Sequence, residues 1–406
     1  MLIPKYWAQY KQRFELSATP DNVSDTLKSK QVTIKRYGWS DISPAEALSH
    51  AKARVDDAHK RWLAGEDILR RERREEYNEG NGIPIREEII FEYNFPENKL
   101  SNTINNSAVV TKLIVTRNSY GAQVANIDNI AIIDVDNDDL LRHKYPDDYN
   151  HHGFMPAFLV HQSNPSTKIK NWAFVFVFII IASVIAWLGL SWSWLLVVMI
   201  GATVYLWQQA SERDKARAQK YADDEASLLP YITDLIKKRI AIHPTECFRL
   251  YGTPAGFRII AIHDTIAPNV NLVAEWFEYF HADANYVRLC QVQQCFRARL
   301  TAKPWRMSEV ENKELAKDIP AKNFWFGSEN TNVDDSIEQC QNELKARKQW
   351  TVSYDKYAKN YRACCYVETF SGREAVDSNT AATPAIDAFI EWHDRACQVD
   401  TKLVLA

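Results

Sequence analysis

The feature that most constrains this chain is a long run without charge. Residues 171–211 contain no Asp, Glu, Lys, Arg or His. The core of the run, WAFVFVFIIIASVIAWLGLSWSWLLVVMIGATVYLW at 172–207, is close to twice the roughly 20 apolar residues that one membrane-spanning helix needs. Gly189, Ser191 and Ser193 interrupt its middle. This pattern predicts a two-helix transmembrane hairpin with spans at about 172–190 and 193–209 and a tight turn between them. The alternative is an apolar hairpin inside a globular core. Trp172 and Trp207 stand at the outer ends and Trp187, Trp192 and Trp194 at the turn, where an interfacial aromatic belt belongs. Lys168 and Lys170 precede the run, and Arg213, Lys215, Arg217 and Lys220 follow it. The turn carries no charge, so the positive-inside rule places both flanks in the cytoplasm. No ionisable residue lies in the spans, so they offer no ion path or proton relay and read as an anchor. The N-terminal MLIPKYWAQYKQRFEL has no apolar h-region, so no cleavable signal peptide is expected.

Outside the run the chain has ordinary globular composition, with 25% charged residues and a net charge of −3 over 406 residues. That balance gives no broad field for nucleic acid, and any such binding needs a local patch. The seven cysteines are odd in number and show no CxxC spacing, which suits free thiols in a reducing compartment. Cys364 and Cys365 are adjacent, so on a strand they face opposite ways. Strands are expected at 31–37, 85–92, 109–116, 130–135, 246–251, 257–263 and 362–370. The last two before 300 flank a five-residue turn, GTPAG at 252–256. Ser43-Pro44-Ala45-Glu46 is a capping box with Pro at the first helical position. Leu48, Ala51, Val55, Ala58 and Trp62 continue it as an amphipathic helix over 44–64. Loops are expected at 70–82 and 143–165. Further helices are expected over 211–240 with a break at Pro230, around 272–280, from an Asp283 cap through Phe296, around Ile337, Cys340 and Leu344, and from Pro384. In the last of these Ile386, Phe389, Ile390, His393 and Cys397 point inward. The expected fold class is α+β, a mixed sheet with flanking helices interrupted by the membrane hairpin. Segments 1–168 and 211–406 together complete one cytoplasmic domain, and 169–210 is the hairpin.

The chemistry centres on IAIIDVDNDD at 131–140. Asp134 and Asp136 are two apart, so on a strand both carboxylates leave the same face. A calcium loop is excluded, since its sixth position is Asp139 rather than Gly and its twelfth is Tyr145. A haloacid-dehalogenase-type phosphatase has Gly and Thr where this chain has Asn137 and Asp138, and its later motifs cannot be placed in order. A metal-dependent glycosyltransferase shares only the DxD spacing. The remaining chemistry is two-metal nucleotidyl or phosphoryl transfer, with Asp134 and Asp136 as catalytic residues and ligands of Mg²⁺ or Mn²⁺. Such a site needs cations for phosphate. Arg258 after the glycine turn, and Arg297, Arg299, Lys303 and Arg306 with Trp305 in CFRARLTAKPWR, supply a mix suited to a nucleotide or single-stranded nucleic acid. The bland readings are a solvated strand end for the acids, salt bridges or lipid headgroup contact for the basic cluster, and a surface turn for His263-Asp264.

RYGWS (36–40), GIPIREEI (82–89), TRNSYGA (116–122), DVD (134–136), TPAGFR (253–258) and CFRARLTAKPWR (295–306) together resemble a family of uncharacterised bacterial proteins, some with a membrane hairpin. The resemblance implies placement in a bacterial inner membrane with both termini cytoplasmic, and no activity. The acid pair followed by a glycine-turn hairpin is also similar to the palm of archaeo-eukaryotic primase-polymerases. That family has a His on the second hairpin strand, where this chain has Arg258, with His263 five residues on. Asp264 and Asp283 are the candidates for a third metal acid. The expected function is a membrane-anchored, metal-dependent enzyme of nucleotides or phosphorylated substrates. The alternative is a non-enzymatic, membrane-tethered binding or assembly protein. Convergence of the acids and arginines in one cleft separates the two.

Overall fold

The computed structural model describes residues 1–15, 31–72, 84, 87–95, 110–149, 192–307, 315, 319–320, 337–374 and 384–406. The expected loop residues 73–82 and 150–165 and the first expected span, 172–190, lie outside the described residues, as does the side chain of Cys340. The chain forms two compact units, Met1–Asp136 with Ile236–Ala406, and Asn137–Leu235.

The first unit is α+β. Strands β1 (Tyr6–Glu15) and β2 (Gln31–Ser40) pair antiparallel over their whole length. Helix α1 (Pro44–Leu63) covers them. It starts where the capping box predicts, the Ser43 Oγ accepting from the Glu46 N–H at 3.2 Å, and buries Ala47, Ala51, Val55 and Ala58. These small residues let the helix approach Gly38 of β2 so closely that a β-carbon there would lie 2.2 Å from the Ala47 carbonyl oxygen.

Two four-stranded sheets follow. One runs β3 (Glu88–Phe95), β4 (Thr111–Arg117), β5 (Gln123–Ile127), β9 (Phe296–Arg299). The other runs β11 (Cys365–Ser371), β7 (Cys247–Thr253), β8 (Gly256–Ala261), β6 (Ile132–Asp136). Every ladder in both is antiparallel, so the expected mixed sheet is corrected to two antiparallel ones. Among the described strands β10 (Tyr361–Arg362) and β12 (Val404–Leu405) pair parallel, and Lys35 makes an isolated parallel bridge to Arg71. The β7–β8 turn is tighter than expected, since Thr253 pairs with Gly256 and Pro254 and Ala255 alone form the loop. β6 runs beside β9, yet the two belong to different sheets. Tyr286 bridges the seam from helix α7 (Ala284–Gln293). Its hydroxyl donates to the Ile132 carbonyl at 2.7 Å and accepts from the Arg297 N–H at 3.4 Å.

Helix α6 (Asn271–Tyr279) buries Val273, Trp276 and Phe277. Helix α8 (Ile337–Ala358) is held by a bidentate ion pair of Arg117 with Asp355, both contacts at 2.9 Å, and by Arg347 donating to the Ser119 and Asn118 carbonyls. Its Trp350 ring lies against Gly121, which turns left-handed at φ 93°. Thus TRNSYGA is a hairpin turn clamped by a helix. Helix α9 (Pro384–Cys397) buries Ile386, Phe389, His393 and Cys397, with Ile390 only half-buried.

The second unit holds α2 (Asn137–Lys144), α3 (Pro146–Tyr149), α4 (Trp192–Ala226) and the start of α5 (Leu228–Ile242). The Lys144 ammonium donates to the Ser227 carbonyl at 2.9 Å, and the Tyr149 hydroxyl to Asp224 at 2.8 Å. The helical break falls at Ser227, and Pro230 sits in the first turn of α5, where its missing N–H is no loss.

The expected transmembrane hairpin is corrected. Among the described residues no helix is long and apolar enough to cross a membrane. The second expected span is the start of α4, which runs on unbroken through Glu212, Arg213, Asp214 and Lys215. Thr203, Gln208 and Gln209 dilute the segment further. Inner-membrane placement, the two-sided cytoplasmic orientation and the bilayer as partner all rested on this hairpin and lose that support.

Gly38→Ala is expected to destabilise the first unit by about 1–3 kcal/mol through overpacking, because backbone atoms of α1 cannot yield. Denaturant unfolding followed by tryptophan fluorescence measures it. A change within about 0.5 kcal/mol, ordinary for a surface position, contradicts the close approach.

Candidate functional site

β6 is apolar up to its end because Ile132, Ile133 and Val135 are buried. Asp134 and Asp136 leave the face opposite Ile133 and Val135, the face that Ile132 shares, as the period of two requires. In the ladder Asp134 stands opposite Arg258 and Asp136 opposite Gly256. A β-carbon at Gly256 would lie 2.0 Å from the Val135 carbonyl oxygen, so only glycine lets β8 close onto β6 there. The Arg258 Nε lies 3.5 Å from the Asp134 carboxylate, and the guanidinium is 2% exposed. Burial opposes its charge, but Asp134 together with Cys364, Cys397 and Tyr286 outweighs this and raises its pKa. Asp283 caps α7, its carboxylate accepting from the Asn285 and Tyr286 N–H groups. Its own N–H donates to the Asp134 carbonyl at 3.1 Å. A carboxylate oxygen of Asp283 lies within 4.8 Å of one of Asp136.

The next element around the seam brings cations to these acids. Arg299 ends β9, and Lys303 and Arg306 flank a 3-10 turn at Pro304–Arg306. Burial pushes the Lys303 ammonium down to about 8, with Arg299 and Arg306 adding to the fall and Asp136 and Asp134 opposing it. Arg306 is lowered for the same reasons, burial first and Arg299 second. The Arg299 Nε and Arg306 Nη1 are buried nitrogens with no hydrogen-bond partner among the described residues. Unmade bonds from charged groups are expensive, so these two nitrogens are donors awaiting an acceptor. Trp305 is 54% exposed. The Lys303 Nζ lies 5.7 Å from its ring centroid, and Tyr120 meets it edge-on at 5.0 Å.

Two residues expected to hold phosphate are corrected. Arg297 is bound on both Glu87 oxygens, at 2.7 and 2.9 Å, and on Gln293 at 2.5 Å. Its guanidinium is a buried structural cation. Arg258 is sealed beneath the site against Asp134, the Arg299 carbonyl at 3.2 Å and His393 Nε2 at 3.1 Å. Asp264 follows the opposite end of β8 from Asp136 and caps its own turn, accepting from the Thr265 N–H. His263 is taken up by the Cys247 backbone and the rings of Phe248 and Trp276. The structure therefore brings together Asp134, Asp136, Asp283, Arg299, Lys303 and Arg306. Sequence reasoning missed the layer beneath them, where Cys364, His393 and Cys397 surround the far side of Arg258. The available signal was His393 and Cys397 one turn apart on the inward face of a helix.

Comparison with known protein families, curated proteins and solved structures yields no match.

Lys303 carries a checkable sign. Its folded pKa lies below the ordinary 10.5, so the unfolded chain binds the extra proton. The penalty is full below pH about 8 and shrinks as pH rises from about 8 toward 10.5. Lys303→Met is thus expected to raise the melting temperature at pH 7, and the gain should shrink by pH 10. An equal gain at both pH values contradicts a depressed ammonium. Arg297→Lys breaks the bidentate grip on Glu87 and is expected to lower stability by about 2–4 kcal/mol while leaving anion binding unchanged. Isothermal titration with pyrophosphate checks the second half.

Proposed function

We propose that the end of β6 and the turn after β9 bind a phosphorylated ligand of the nucleotide class with a divalent cation, and that the chemistry served is phosphoryl or nucleotidyl transfer. The observation that carries the reading is the pairing of Asp134 and Asp136 with three crowded cations, two of which keep buried N–H groups unused. Cations so packed repel, and beside burial this repulsion lowers the proton affinity of Lys303 and Arg306. A phosphate relieves that repulsion and supplies the missing acceptors. Lys303, Arg299 and Arg306 hold the phosphates. The exposed Trp305 indole offers a face on which a base stacks, a contact worth about 1–3 kcal/mol. Asp136 and Asp283, hard oxygen donors within 4.8 Å of each other, hold Mg²⁺ or Mn²⁺, with Asp134 beside them. Such an ion neutralises phosphate charge and polarises a phosphoryl oxygen. Asp134 has a second duty, since its carboxylate is the counter-ion of Arg258, and this sets it apart from Asp136.

The test uses the full chain and thermal melts with manganese, ATP and tripolyphosphate, followed by assays of phosphate and pyrophosphate release. Ligand at about 100 times its dissociation constant stabilises by about 2.7 kcal/mol, and a rise of that order is expected with manganese and ATP together. Asp136→Asn should remove the manganese-dependent part. Lys303→Met with Arg306→Ala should remove the phosphate-dependent part. Trp305→Ala should erase the advantage of ATP over tripolyphosphate. No stabilisation by either phosphate compound, with or without manganese, sinks the reading. Stabilisation without turnover of any nucleotide reduces it from an enzyme to a binding protein.

A further inference from the structure

A second constellation lies behind Arg258. Cys364 immediately precedes β11, and His393 and Cys397 stand one turn apart on α9. All three are fully buried, and one donor atom from each, two thiol sulfurs and an imidazole nitrogen, falls within 4.8 Å of the others. The His393 Nε2 to Cys397 Sγ distance is 3.5 Å. Zinc in tetrahedral geometry, with sulfur at about 2.3 Å and nitrogen at about 2.0 Å, sets these two atoms about 3.5 Å apart.

The surroundings are those of a metal-ligating histidine. The His393 Nδ1 meets the Asp394 carboxylate at 3.0 Å. Asp394 is itself fixed by the Tyr251 hydroxyl and by Arg249, each at 2.7 Å. A carboxylate on one ring nitrogen pins the proton there, leaves the other nitrogen's lone pair free and raises its basicity. That lone pair points at the thiols and at the Arg258 Nη1, 3.1 Å away. Ligation uses the imidazole in its neutral form.

We infer that Cys364, His393 and Cys397 form a site for a thiophilic divalent cation of the zinc class. The donor set selects it, because thiolates favour zinc over the magnesium or manganese that oxygen donors favour. Two thiolates and one zinc ion cancel, and the neutral imidazole adds no charge. A neutral site removes the need for Arg258 as counter-ion to sulfur. Binding then moves the Arg258 Nη1 off His393 and leaves the guanidinium to Asp134 and the Arg299 carbonyl. The chain supplies no fourth donor among the described residues, and the last position takes a small ligand such as water. The ion ties α9 to the start of β11 and does so whether or not the strand-end site binds nucleotides.

The test is the metal content of the full chain, purified without chelator and without a metal-affinity step, followed by replacement with cobalt. About one zinc ion per chain is expected, together with a thiolate-to-cobalt charge-transfer band in the near ultraviolet and tetrahedral d–d bands in the visible. Cys364→Ser and Cys397→Ser should each abolish the charge-transfer band or sharply weaken it. Where those variants fail to fold, Asp394→Asn keeps the donors and the side-chain shape. It should weaken zinc binding by about 10–100-fold. The inference is overturned if the wild-type chain holds no stoichiometric zinc and gives no cobalt band. It is also overturned if Cys364 and Cys397 are recovered from the folded chain as a disulfide, or if Asp394→Asn leaves affinity unchanged.

Discussion

Everything around the two sites is arranged about one buried charge. The Arg258 guanidinium is 2% exposed, and an unpaired cation at that depth would be intolerable. It survives because Asp134 on the neighbouring strand faces it, the Arg299 carbonyl accepts from it, and His393 offers a lone pair. These three partners come from β6, β9 and α9. One side chain therefore joins the strand carrying the acids, the strand leading to the cations and the helix carrying His393 and Cys397. Removing Asp134 alone leaves the buried guanidinium stranded, a loss typically of about 3–5 kcal/mol. That dependence explains why an acid at a strand end that looks catalytic in sequence is half structural in the fold.

The same division runs through the short motifs of the chain, whose residues do packing work that their sequences hide. In RYGWS the glycine admits α1. In TRNSYGA, Asn118 accepts from the Ala122 N–H at 3.0 Å, Gly121 makes room for Trp350, and Arg117 binds Asp355. In PIREEI, Glu87 neutralises Arg297 and also accepts from the Thr116 hydroxyl at 2.5 Å. TAKPWR, with Lys303, Trp305 and Arg306, and DVD, with Asp136, put their polar groups where a ligand could meet them.

Local signals were legible in the sequence where a short-range rule decides the conformation. The capping box at Ser43, the alternation in β2 and β4, the cap at Asp283 and the turn before Gly256 all act within a few residues. What failed were inferences that need a partner. An uncharged run reads as a membrane span only if it is helical and apolar over enough length, and α4 turns polar too soon. Phe296 was assigned to a helix, yet it starts β9, because Gln294 adopts φ 51° and ends α7 before it. Arg297 and Arg299 looked equivalent by spacing, but a carboxylate 210 positions away in sequence claimed the first. The pairing of Asp134 with the cation turn was readable as chemistry, and its geometry was not. The thiol–imidazole cluster was hidden because Cys364 lies far from His393 and Cys397 in the chain, and cysteine spacing alone carries no such message.

The seam between β6 and β9 has a consequence for how this protein can go wrong. Each strand is the edge of its own sheet, and each is made of buried residues. A strand edge is a row of open hydrogen-bonding groups that another chain can extend. Here the two edges lie side by side, spanned by one phenol hydroxyl, with α7 supplying that phenol. Local opening of α7 would uncover two adjacent strand edges at once. The short helix is therefore a guard against intermolecular strand addition at this seam.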